Sequence, residues 1–162
     1  MDDREWVRHR ESLVRLAGLL TGDAGRAEDL AAEAVARFLA AARRRRIDDP
    51  GAYMRRIVVN QVIGSWRKRR TEERLGHRVA TSRSVDDESY RIGESERVWR
   101  AMLDLPARQR AALVLRFYED RSVAETAALL GVPVGTVKST VARGLERLHR
   151  ELGDDRERDC DG

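Results

Sequence analysis

The densest concentration of reactive and hydrogen-bonding side chains in the sequence lies near its C-terminus, where Thr136, Lys138, Ser139, Thr140, Arg143 and Arg147 follow one another at short intervals. Short hydroxyls that approach a groove floor, set beside cations that neutralise phosphates, are the equipment for reading double-stranded nucleic acid. A second concentration occupies AYMRRIVVNQVIGSWRKRR, Ala52 to Arg70, and combines Arg56 and Arg67 with Asn60, Tyr53 and Trp66. Cations that follow a backbone, with aromatic and amide groups that stack on or hydrogen-bond to bases, suit an unpaired strand. Taken singly, each feature also has a plainer reading: a basic helix face is often only solvated, Tyr53, Ile57 and Val62 suit a core, and a basic helix end complements the macrodipole.

Little in the chain points to catalysis. His9, His77 and His149 are scattered, no metal-ligand spacing appears, and no Gly-rich phosphate loop follows a strand. We therefore expect no catalytic residue, no metal and no cofactor.

The elements that must position these residues are all helical. Leu13, Leu16, Ala17 and Leu20 recur three and four apart and define a first helix from about Asp3 to Leu20. Thr21-Gly22-Asp23 stops it and caps a second helix, whose expected buried stripe is Leu30, Ala34, Phe38 and Ala41. Asp49 followed by Pro50 announces a third helix over about Gly51 to Arg69. From Thr71 to Ser95 the sequence is polar and Ser-rich with no apolar period, which reads as a flexible linker.

Periodicity returns at Glu96, and Pro106, Ser122 and Pro133 punctuate four helices up to about Leu152. Ser122 and Glu125 form a capping box. Gly131 ends that short helix, Ala127 is small enough for a second helix to cross closely, and Pro133 with Gly135 introduces the last one. Val137, Val141, Gly144, Leu145 and Leu148 are its expected core face, while Thr136, Ser139, Thr140, Arg143 and Arg147 line the other side with Lys138 on the flank. The pattern is a helix-turn-helix with a polar recognition face.

The expected fold class is thus all-α, two small helical domains joined by a flexible linker, with a four-helix C-terminal domain containing the helix-turn-helix. The expected boundaries are 1–70, a linker over 71–95, a second domain over 96–152 and an acidic solvated tail over 153–162. Composition agrees: 37% of residues are charged and only 5% aromatic, and the net charge of +4 hides an uneven distribution. Ala41 to Arg70 carries ten Arg or Lys against two Asp, whereas Met1 to Ala40 carries eight acids against six Arg. Neighbouring acidic and basic surfaces suggest two different partners. The lone Cys160 can form no internal disulfide, and apolar runs such as Ala111 to Leu115 are too short to span a bilayer, so a soluble, cytoplasmic protein is expected.

AEDL (Ala27 to Leu30), the helix from Tyr53 to Arg70, and LPARQRAALVLRFYED followed by the helix-turn-helix together resemble the extracytoplasmic-function sigma factors of the sigma-70 family. GTVKS (Gly135 to Ser139) and ARGL (Ala142 to Leu145) are similar to the short actinobacterial branch. The resemblance implies partners: RNA polymerase core, through its beta-prime clamp helices and beta flap, promoter DNA, and an anti-sigma factor as a further candidate. It implies that Asp29 and Glu33 face polymerase and that the second domain reads the minus-35 element as duplex through Thr136, Lys138, Ser139, Thr140, Arg143 and Arg147. The loop Arg43 to Tyr53 and the helix with Arg56, Asn60, Trp66 and Arg67 would then meet the melted minus-10 strand. Two departures stand out: Ala32 and Val35 replace a frequent Gln and aromatic, and Thr140 replaces a frequent Arg, which removes one phosphate contact.

The same C-terminal pattern also resembles the helix-turn-helix of response-regulator activators, so a stand-alone transcriptional regulator is the alternative. That reading needs a sensory or dimerising N-terminal domain, and the first 70 residues contain no receiver-like strands.

Overall fold

The computed structural model describes residues 3–74 and 96–160, with the backbone alone at 3–5, 70, 73, 74 and 154–160. The chain divides into two compact units, Met1–Tyr90 and Arg91–Gly162. Among the described residues there is no strand.

Three helices build the first unit: α1 (Asp3–Thr21), α2 (Ala24–Ala42) and α3 (Pro50–Arg74). Their starts and stops are local chemistry. Gly22 takes a left-handed φ of 68° after α1, and the Asp23 carboxylate accepts from the Arg26 amide at 3.1 Å to begin α2. Asp49 does the same for α3, accepting from the Ala52 amide at 2.9 Å, with Pro50 as the first helical residue. The core forms where Leu13, Leu16, Ala17 and Leu20 meet Ala27, Ala31, Ala34 and Phe38 of α2 and Met54, Val58 and Val62 of α3. Trp6 packs edge-on against Phe38 at 5.7 Å between ring centres, and Phe38 lies 6.3 Å from Tyr53.

Two expectations for this unit need correction. The stripe of α2 is Ala27, Ala31, Ala34 and Phe38, with Leu30 and Ala41 only half-buried, because small alanines let three helices approach closely and turn the seam toward the start of α2. Helix α3 also runs five residues past Arg69, so the stretch expected as linker begins inside a helix at Thr71, whose hydroxyl donates to the Arg67 carbonyl at 3.1 Å. The remainder of that stretch, 75–95, lies outside the described residues.

The second unit contains α4 (Glu96–Asp104), α5 (Ala107–Leu113), a π-helical turn (Val114–Tyr118), α6 (Val123–Leu130) and α7 (Val134–Cys160). Ala111 to Leu115 are all buried, which explains their unbroken apolar run: the end of α5 and the π turn are covered by α6 and α7. Arg110 is buried with them, and its guanidinium donates to the Leu103 carbonyl at 2.9 Å and to that of Leu105 at 3.4 Å, satisfying the end of α4. Helix α7 lies against α5 at Gly144, where a Cβ would come within 3.1 Å of Leu113. The region expected as a solvated tail is helical through Cys160. Arg156, Glu157 and Arg158 are good helix formers, and although Gly153 and the aspartates are weak ones, no proline interrupts the stretch after Leu152.

Candidate nucleic-acid interfaces

The first candidate surface rests on a short turn. The Ser122 hydroxyl accepts from the Glu125 amide at 3.0 Å, and the Glu125 carboxylate accepts from the Ser122 amide at 2.8 Å, a complete capping box at the start of α6. That backbone hydrogen bond holds the Glu125 carboxyl below its ordinary value against the opposing effect of burial, and the Ser122 hydroxyl and nearby Arg121 add to the lowering. Gly131 ends α6 at φ 67°, its amide and that of Val132 returning to the Ala127 carbonyl. Three residues later α7 begins, aimed by these local constraints.

On α7, Val137 and Gly144 are buried and Val141 and Leu148 half-buried, so they form the inner seam. At 100° per residue, Thr136, Ser139, Thr140, Arg143 and Arg147 fall within an arc of about 100° on one flank. Thr136, Ser139, Arg143 and Arg147 are exposed, and Thr140 sits half-buried where the arc meets the seam. Ser139 already donates its hydroxyl to the Thr136 carbonyl at 3.0 Å and offers lone pairs outward. Arg147 is engaged with Glu151 at 3.4 Å, which moderates its charge and leaves Arg143 the stronger cation of the arc.

Lys138 does not join this group. It is exposed about 150° around the helix from the middle of the arc. Leu145, expected in the core, lies near Lys138 and is 44% exposed. The seam through Val137, Gly144 and Leu148 is narrow because the backbone of α7 approaches Leu113 directly, and Leu145 falls outside it.

The second surface lies on α3. Met54, Val58 and Val62 are fully buried against α1 and α2, which forces the opposite side outward. Arg56, Asn60 and Arg67 are exposed there and share a strip about 40° wide. Trp66 is not part of it: half-buried, it lies about 100° away on the side of Val59. Above the start of α3, the Arg45 guanidinium sits 5.5 Å over the Tyr53 ring and 3.4 Å from its hydroxyl, so this loop is already tied to an aromatic face. Arg26 reaches from α2 to the Ser65 hydroxyl at 3.4 Å, and burial, with Arg69 nearby, lowers its pKa against the opposing pull of Asp23.

Asp29 and Glu33 are exposed one turn apart on α2, directly opposite Ala31. Glu33 is bound to Arg37 at 2.7 Å, so Asp29 presents the less compensated charge. The neighbouring Glu28 is bridged to Arg10 instead. The structure thus separates an acidic face on α2 from a cationic strip on α3 within one unit.

Two features escaped the sequence reading. Phe117 and Tyr118 are 59% and 42% exposed on the π turn, followed by Asp120 at a φ of 52°; a helical period alone does not distinguish a widened turn. Gly64 is exposed at the edge of the α3 strip with nothing within 4 Å of where a Cβ would stand, and a glycine inside a helical pattern was the available signal. Among the described residues no group of His, Cys, Asp or Glu is disposed to hold a metal, and no helix is long and apolar enough to cross a membrane.

Comparison with known proteins matches each of the two units to a family model. Residues 6–72 match the family described as sigma-70 region 2, and residues 95–148 match sigma-70, region 4. The RNA polymerase sigma-E factor of Streptomyces coelicolor is 36% identical over 156 residues, covering 94% of this chain and 86% of the relative. The ECF RNA polymerase sigma factor SigM of Mycobacterium tuberculosis is 35% identical over 152 residues, covering 93% and 76%. Among solved structures, the sigma factor RpoE of Bartonella quintana, crystallised with the anti-sigma factor NepR, superposes with a TM-score of 0.65 at 25% identity, over 93% of this chain and 95% of that one.

Proposed function

This chain belongs to the extracytoplasmic-function branch of the sigma-70 family, and from that membership we propose how its two surfaces divide the work of starting transcription. It is a sigma factor: it binds RNA polymerase core and directs initiation at particular promoters. The first domain, 1–70, docks on the beta-prime clamp helices through the α2 face of Asp29 and Glu33. Its α3 strip, Arg56, Asn60 and Arg67, holds the melted minus-10 strand, and Trp66 approaches it from the neighbouring flank of the helix. Extruding a base costs a few kcal/mol, which contacts of this kind offset.

The second domain, 96–152, sits on the beta flap and reads the minus-35 element as duplex. Thr136, Ser139 and Thr140 approach base edges while Arg143 and Arg147 contact phosphates, and Lys138 reaches a phosphate from the other flank. Residues 71–95 span the distance between the two promoter elements. An anti-sigma factor is a further partner, as it is for the Bartonella protein. The family consists of DNA-binding initiation factors, and we read this member as a binding protein without catalysis, acting in the cytoplasm.

The observation that carries the proposal is the match of one chain to both regions, each ending on a helix with an outward cationic face. A stand-alone regulator would need a sensory domain where region 2 is found. The test is run-off transcription from a promoter library with purified chain and bacterial core polymerase. Discrete new start sites are expected; duplex binding without initiation would defeat the reading. Asp29→Lys with Glu33→Lys should abolish capture of core polymerase at unchanged helicity, and persisting capture would move the interface off α2.

A further inference from the structure

Resting on the assignment of α3 to the opened strand, we propose that Thr71 is a phosphoryl-acceptor site through which an arginine-directed serine/threonine kinase turns that surface off. Among the described residues the exposed aliphatic hydroxyls belong to Thr71, Ser122, Thr136 and Ser139. Ser122 comes after Glu119, Asp120 and a single Arg, Thr136 after Pro133, Val134 and Gly135, and Ser139 after a single Lys. Thr71 differs from these three in following four consecutive cations, Arg67, Lys68, Arg69 and Arg70. Kinases sort their substrates by charge pattern, and acidic subsites ahead of the transfer position select such a run. The residue is also within reach. It opens the last turn of α3, which ends at Arg74, and its hydroxyl donates to the Arg67 carbonyl at 3.1 Å, a local bond given up when a helix end frays.

Its azimuth makes the modification consequential. At 100° per residue Thr71 lies about 20° around α3 from Asn60 and about 40° from Arg67, and about 6 Å beyond Arg67 along the axis, so it stands at the end of the cationic strip. In the transfer, the Thr71 oxygen bonds to the γ-phosphorus of ATP, the bridging bond to ADP breaks, and the hydroxyl proton goes to the kinase base. The product is a dianion in place of a neutral hydroxyl. The carbonyl end of the helix and the carboxylate of Glu72 both repel it, which turns it back toward the cations one turn earlier, Arg67 at i−4 and Lys68 at i−3. A bidentate phosphate–guanidinium pair takes Arg67 away from the strand, and the remaining negative charge opposes the strand's own phosphates. One modification thus removes a contact and adds a repulsion.

The test incubates the full chain with magnesium ATP and the catalytic domain of an arginine-directed serine/threonine kinase. Intact mass should show one added phosphoryl group, peptide fragmentation should place it on Thr71, and Thr71→Ala should abolish it; no gain, or phosphate elsewhere with Thr71 bare, overturns the site. Fluorescence anisotropy with a random-sequence, fluorescein-labelled single-stranded oligodeoxynucleotide at low salt then reads the consequence. The phosphorylated chain should bind on the order of tenfold more weakly, whereas Thr71→Ala carried through the same treatment keeps the parental affinity. Equal affinity before and after phosphorylation overturns the switch, as does a parent chain that ignores the single strand. Run-off transcription separates this from the wider assignment: a phosphorylated chain at parental yield sinks the switch and leaves the sigma factor standing, whereas a parent that cannot initiate sinks the sigma factor and leaves the mapping to decide whether Thr71 accepts phosphate.

Discussion

The outward faces of α3 and α7 are similar in chemistry and opposite in how they are aimed. On α3, Arg56, Asn60 and Arg67 point outward because Met54, Val58 and Val62 are fixed against two other long helices, so residues distant in sequence set the face. On α7, orientation starts from a few consecutive residues: the Ser122 and Glu125 capping box, the left-handed Gly131 and the short turn to Val134. The first device depends chiefly on its core; the second depends chiefly on its caps. The surface proposed to hold an opened strand is thereby placed on the scaffold fixed by long-range packing.

The contrast can be broken most forcefully in the core. Leu16 is fully buried, and Leu16→Ala should cost the first unit about 2–5 kcal/mol. Hydrogen exchange should show lost protection in α1 to α3 and unchanged protection in α5 to α7; equal loss in both would show that the units do not stabilise themselves separately. Next, Ser122→Ala should cost the second unit about 1 kcal/mol and reduce duplex affinity, with the first unit's melting untouched. Arg143→Ala should flatten the dependence of duplex affinity on salt by about one phosphate contact; an unchanged slope would remove Arg143 from the interface.

The smallest effect is one of pH. Because the folded state holds the Glu125 carboxyl below its ordinary value, its stabilisation is present above the usual glutamate range and fades as pH falls through that range to the depressed value. Acid titration followed by circular dichroism should show Glu125→Gln with a shallower loss of second-unit helicity over that window. Parallel curves would mean that the capping box is indifferent to its charge.

What could be read from the sequence follows the same division. Asp23, Pro50, Ser122 with Glu125, and Gly131 were legible as stops and starts because each acts on an amide or carbonyl within a few residues of itself. Errors arose where a distant partner decided. Leu30 and Ala41 gave way to Ala27 and Ala31 because the approach of α1 sets the seam, and Leu145 is exposed because Leu113 brings the α7 backbone close. Trp66 left the strip although it shares the helix, since composition says nothing about azimuth. The outward placement of Arg56, Asn60 and Arg67 on the strip and of Thr136, Ser139, Arg143 and Arg147 on the arc was otherwise legible from spacing. The exposed Phe117 and Tyr118 were not, because a helical period does not reveal a widened turn.

The widened turn at Val114–Tyr118 matters for the geometry of everything after it. By taking in more residues per revolution than its neighbours, it throws the chain out of phase with α5, and Arg121 returns its amide to the Leu115 carbonyl at 2.8 Å instead of extending the cylinder. The slack is local, so α6 begins with a fresh bearing while the buried run before it keeps its grip. Deleting one residue there would rewind the coil and point the reading head somewhere else, without removing a single contact from the head itself.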